Sequence, residues 1–183
     1  MEEKQKIGPR DVFLHLLSVV ALYVCAVNFG VLLFQYINLA FPDVLDFPRY
    51  ALDSLGPLRF ALASLTVVFP LYLFLQKFLE SELTRVPEKR LLRTRKWLII
   101  FTMAVASVII TGDLVGLLYN FLQGDITWRF TLKVLAVLFI AGAVLGYYGG
   151  CLRRDAKPAA LAWMKQAIFG VVALVILATL AGF

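Results

Sequence analysis

Five long stretches of the chain are almost uninterrupted in their hydrophobicity, and short polar stretches separate them. They cover about 11–41, 58–78, 97–122, 128–150 and 159–183. A helix needs roughly 20 apolar residues to cross about 30 Å of hydrocarbon, and each stretch reaches that length. The pattern predicts an all-α fold, a polytopic membrane helix bundle of about five transmembrane helices forming one transmembrane domain over residues 1–183. The first stretch begins like a signal peptide, but a signal core ends after roughly 7 to 15 apolar residues at a small-residue cleavage site. Here the apolar run continues past Cys25 into VNFGVLLFQYINLAF, so an uncleaved first span is expected.

The separators are as informative as the spans. PDVLDFPRYALDSLGP (42–57) carries three prolines and three aspartates, which stop a helix and mark a loop. ESELTRVPEKRLLRTRK (80–96) is the most charged stretch. Pro70 lies inside the second span, where the missing N–H and the ring clash predict a kink. Lys and Arg are retained on the cytoplasmic side of a membrane. Residues 1–10 contain three, 79–96 six and 151–158 three, twelve together, whereas the alternate separators and their flanks hold only Arg49, Arg59 and Arg129. The expected topology is N-terminus in, C-terminus out, as a multi-pass protein of the plasma (inner) membrane. Trp97, Trp128 and Trp163 stand at span ends, as interfacial anchors do.

Composition supports the same picture. The chain is 61% hydrophobic and 16% charged, with a mean hydropathy of +0.84, against about 45 to 50% and 25% in soluble domains. The net charge of +6 does not point to nucleic acid, because the basic residues sit in the separators. The two cysteines, Cys25 and Cys151, fall at mid-depth of one span and the inner end of another, too far apart to bridge, and form no C-x-x-C.

Several strings, PRDVFLHLL, FQYINLAFPD, PEKRLLRTRKWL, GDLVGLLYNFLQGDITWRFTLKVL and IAGAVLGYY, together resemble a family of small bacterial membrane proteins known as a domain of unknown function, over residues 9 to 154. The resemblance implies a membrane fold and carries no activity, catalytic residue or binding residue with it.

Counting residues removes most enzyme classes. One histidine, His15, supplies neither two axial haem ligands nor an H-E-x-x-H zinc site. Asp113 is the one carboxylate inside a span, so an aspartic-protease dyad cannot form. G-x-S-x-G, Walker and dinucleotide fingerprints are missing from the sequence. No catalytic residue, metal or cofactor is expected, and an enzyme is the third choice of function.

What remains is polar chemistry inside the spans. Asn28, Asp113 and Lys133 form a candidate intramembrane polar cluster in the outer half of the bilayer, at depths of about 15, 12 and 8 Å, with Asn120 nearby. A lone charge at a span centre costs roughly 2.5 to 3.5 kcal/mol on insertion scales, so such groups face a partner or water. Either Asp113 and Lys133 pair across the third and fourth spans, or the group lines an ion path or polar pocket. Gly142, Gly146 and Gly150 repeat every fourth residue on the fourth span, and Gly112 and Gly116 do so on the third. Such faces allow close helix packing, within the subunit or between copies. Arg90, Arg93, Arg95 and Lys96, with Lys77, Arg85 and Lys89, are candidates for anionic lipid headgroups as well as topology determinants. His15, one turn into the first span, is either a proton-sensing group or a satisfied interfacial residue. The expected partners are the lipid bilayer, a homo-oligomer and other membrane subunits. The leading functional reading is an oligomeric channel or small transporter using the polar cluster, and the alternative is a non-catalytic subunit or scaffold of a larger membrane complex.

Overall fold

The computed structural model describes residues 9–41, 55–85, 93–124, 127–156 and 162–182. They form five helices: α1 (Pro9–Ala40), α2 (Leu55–Arg85), α3 (Arg93–Gln123), α4 (Trp128–Ala156) and α5 (Ala162–Leu180). The first four are long and apolar enough to cross a membrane. At 32 residues, α1 is about 48 Å long, more than the hydrocarbon thickness. The fifth helix has 19 residues, with an apolar Gly170–Leu180 segment.

The helices outrun the apolar stretches because good helix formers continue past them. After Phe78 the second helix runs on through LESELTR to Arg85, since Leu, Glu and Arg lose little on entering a helix. It also runs on through Pro70 without an interruption of its helical assignment.

The α3–α4 connection is built by two local devices. Gly124 takes a φ of 77° just past α3, a conformation that an L side chain resists, and its N–H donates to the Phe121 carbonyl at 3.1 Å. Thr127 then caps α4: its Oγ1 accepts from the Phe130 N–H at 3.3 Å. The two helices form an antiparallel hairpin and pack along their length.

The other antiparallel pair is α1 with α2. At one end Arg10 lies over the Phe78 ring, 5.8 Å from its centroid. Between the two helices runs an apolar core of Cys25, Phe29, Leu32, Ala61, Leu62 and Leu65, joined by Val175 of α5. Contacts from α1 to α4 and α3 bring the two hairpins together. Because all backbone polar groups of a helix are satisfied internally, this arrangement needs only side-chain packing between helices.

One end of the bundle gathers the end of α1, the start of α2, the α3–α4 turn and the end of α5. Arg129 Nη2 donates to Asn38 Oδ1 at 3.0 Å, which places the start of α4 beside the end of α1. Tyr36 OH donates to the Ala178 carbonyl at 2.7 Å, which brings the end of α5 to the same place. We refer to this as the turn end, and to the opposite one, carrying Arg10, Arg85 and Arg95, as the basic end.

Candidate functional site

The polar residues expected to cluster do not join one another. Asn28 is buried on α1, and its amide donates to the Val24 carbonyl of its own helix at 2.8 Å. Lys133 turns toward α1, with its ammonium 5.8 Å from the Phe34 ring centroid. Asp113 is half-buried, and its Oδ2 is shielded from the surface without a hydrogen-bond partner. Among the described residues no ion pair links Asp113 to Lys133. Helix geometry accounts for it: Lys133 is five residues from the start of α4 and Asp113 ten from the end of α3, a depth difference of about 7 Å.

Position on the helix adds to this. The stripe of α3 turned into the bundle carries Ile99, Thr102 and Ala106, all buried. Eleven residues are close to three full turns, so Asp113 continues the face of Thr102, about 16 Å further along. Thr102 is fully buried and its Oγ1 also lacks a partner. Two further shielded polar atoms on α1, the Tyr23 hydroxyl and Gln35 Oε1, are in the same condition. Buried polar groups are paired in the great majority of cases, so these four atoms stand out among the described residues.

A second polar group, toward the basic end, was not expected. Gln76 Nε2 donates to the Tyr72 hydroxyl at 3.0 Å, and Tyr147 OH donates to Gln76 Oε1 at 3.2 Å. Tyr147 meets Tyr148 edge to face, with centroids 5.1 Å apart. Cys151 and Glu80 lie within electrostatic reach of Tyr147, and Cys25 within reach of Tyr72. Neither cysteine is in a disulfide. Within the sequence, Tyr72 and Tyr147 read as ordinary aromatic residues of apolar spans. The signal that could have found them is Gln76 alone, a polar residue near the end of a span.

The glycines are placed differently from one another. A Cβ built on Gly112, Gly116, Gly142 or Gly146 meets nothing within 4 Å, so these four do not pack against another helix of the chain. Gly150 is buried. Gly30 and Gly149 meet the side chains of Ile140 and Met103 at ordinary contact distance, and the close approach falls at Gly182, against Tyr36 and Leu62.

The basic residues also divide. Arg90 lies outside the described residues, and Arg93 opens α3. Arg95 is half-buried and within electrostatic reach of Tyr148, so it borders the tyrosine group rather than standing only toward headgroups. Lys96 and His15 are half-buried. Trp97 and Trp128 are exposed, Trp97 stacked on Phe101 at 5.8 Å. Among the described residues no three His, Cys, Asp or Glu side chains come together as metal ligands would.

Residues 11–148 match the family described as a domain of unknown function (DUF5671), and the chain belongs to that family. The match takes in α1, α2, α3 and most of α4, the two hairpins that hold both polar groups, and leaves α5 outside. No curated protein and no solved structure matches the chain.

Proposed function

We propose that the protein is a small multi-pass permeation protein that moves a proton or a small cation, with Asp113 as the carboxylate that receives it within the membrane. The observation that carries this is the state of Asp113: a half-buried carboxylate in a membrane-length helix whose Oδ2 is shielded from the surface and engaged by no side chain among the described residues. Ionisable groups at such positions are costly and mark ion and proton paths. A carboxylate kept for structure would be paired, and the basic group nearest in sequence reading, Lys133, is held on Phe34 instead. Five crossings with the N-terminus in the cytoplasm belong to the same reading, supported by the basic separators and by the meeting of the α1 and α5 ends.

The test is flux. Purified protein reconstituted into vesicles with an entrapped pH dye, and separately with a potassium gradient, should dissipate one gradient faster than protein-free vesicles. Asp113→Asn should return the rate to background, and Asp113→Glu should retain part of it. Wild-type protein that dissipates neither gradient sinks the reading.

One observation favours the second reading, a non-catalytic subunit of a larger membrane assembly. The Gly142 and Gly146 face of α4 has open space over it, with Phe139 and Leu135 exposed alongside. Small residues spaced in this way let another helix approach closely. Gentle extraction separates the cases: a homo-oligomer fits permeation, and stoichiometric co-purification of other subunits fits the accessory role.

A further inference from the structure

Arg59 is one of three basic residues, with Arg49 and Arg129, that stand against the charge rule ordering the rest of the chain. It stands at the turn end, where the sequence places few basic residues, and no hydrogen bond or ion pair holds it among the described residues. It is exposed one turn into α2. Below it, Leu62, Ala63, Thr66 and Val67 continue one face of α2, and with Gly182 of the C-terminal turn they line an open groove of about 470 Å3. That volume falls in the range of roughly 300 to 1,000 Å3 typical of ligand sites.

Arg59 and Thr66 are the polar side chains of the lining, and the rest is apolar. The Thr66 hydroxyl is already spent on the Leu62 carbonyl at 2.8 Å, which leaves the Arg59 guanidinium as the unengaged side-chain donor among the described lining residues. The far wall is fixed, because the C-terminal turn is pressed onto α1 and α2: a Cβ at Gly182 would collide with Tyr36 and Leu62. From Arg59 to Val67 the face runs about 12 Å along the helix axis, close to the depth of one leaflet of a ~30 Å hydrocarbon core. A cation at the headgroup level above an apolar slot one leaflet deep matches an amphiphile with an anionic head and a hydrocarbon tail.

We propose that this groove holds one acyl chain of a membrane phospholipid whose anionic headgroup is bound by Arg59. The guanidinium fork matches phosphate geometry and is weakly hydrated, so it binds an anionic head at low desolvation cost. The long arginine side chain reaches the headgroup plane from within the span. The site is independent of Asp113 and of any flux.

Native mass spectrometry of the purified chain tests this, after incubation with phosphatidylcholine vesicles alone or mixed with phosphatidylglycerol. Wild type should retain one phosphatidylglycerol at this groove, beyond any held by the basic end, and release phosphatidylcholine. Arg59→Gln and Ala63→Trp, both at exposed positions, should each lose that lipid, the first by removing the anchor and the second by filling the slot. Arg59→Lys should retain it more weakly, and inorganic phosphate should not displace it. Equal retention of both lipids, retention by Arg59→Gln, or displacement by phosphate alone overturns the proposal. So does disulfide cross-linking of Val67→Cys chains into dimers in the bilayer, which would show a second copy over the groove.

Discussion

The Lys133 ammonium sits 5.8 Å from the centroid of the Phe34 ring, across the α1–α4 contact, instead of meeting the carboxylate of Asp113. A cation over an aromatic face in a dry setting gains electrostatic energy without a counter-ion. With Lys133 turned to Phe34, the two charged residues should behave independently in a mutational cycle.

Neutralising Asp113 and Lys133 together should cost the sum of the two single changes, within about 0.3 to 0.5 kcal/mol, as for sites that do not touch. Lys133→Met and Phe34→Leu should instead be coupled, by about 0.5 to 2 kcal/mol. Unfolding of the purified variants in mixed micelles measures both. Strong coupling between Asp113 and Lys133 would show an ion pair and remove the main support for the permeation reading.

The helices were legible in the sequence because hydrophobic length is a one-dimensional signal. Depth was legible too, since residue count converts directly into distance along a span. Rotation about the helix axis was not. A helix apolar on nearly all sides carries no stripe to say which way Asp113 or Gly146 points, so Asn28, Asp113 and Lys133 read as one cluster and the glycine repeats left packing within the subunit or between copies open. The Tyr72–Gln76–Tyr147 group joins Tyr147 to Gln76 across 71 residues, and aromatic residues are too common in spans to mark it. Helix α2 outruns its apolar stretch for another reason, that helix propensity persists in the charged sequence beyond it.

Topology is open to a direct check. Single cysteines placed in 42–54 should react with an impermeant maleimide added outside intact cells, and those in 86–92 should react only after lysis. The asymmetry of twelve basic residues against three sets this expectation. Labelling of both segments from the same side would rule out the arrangement of the first two spans.

Tyr36→Phe removes the hydroxyl that donates to Ala178 and should loosen the end of α5. Hydrogen bonds between membrane helices contribute about 0.6 kcal/mol on average and up to about 1.7, so the fold should survive while the C-terminus becomes more sensitive to carboxypeptidase. Gly182→Val should have the same effect through collision with Leu62 and Tyr36. Unchanged digestion in both variants would show that the contact does not hold the end of α5.

Gln76 bridges two tyrosine hydroxyls, and losing it strands both. Gln76→Leu should destabilise by about 1 to 3 kcal/mol, the cost of leaving buried polar groups unpaired. Tyr147→Phe leaves only the Gln76 Oε1 contact unmade and should cost less. In the double variant the two losses should fall short of their sum, because one bond is counted in both. Additive losses would mean that the Tyr147–Gln76 bond contributes little in the bilayer.

The glycine face of α4 gives the sharpest separation between folding and association. Leucine at position 146 would point into open space in a single chain, so Gly146→Leu should leave monomer unfolding within about 0.5 kcal/mol of wild type, the usual range for surface changes, or raise stability slightly because glycine costs about 1 kcal/mol in a helix interior. Any partner helix seated on Gly142 and Gly146 would be pushed outward and lose the close backbone contact that drives association in lipid. The expected result is an intact monomer with reduced assembly in bilayer cross-linking, while Leu145→Ala leaves assembly as it was. Assembly unaffected by Gly146→Leu would show that this face looks at lipid, and the accessory-subunit reading would lose its one structural support.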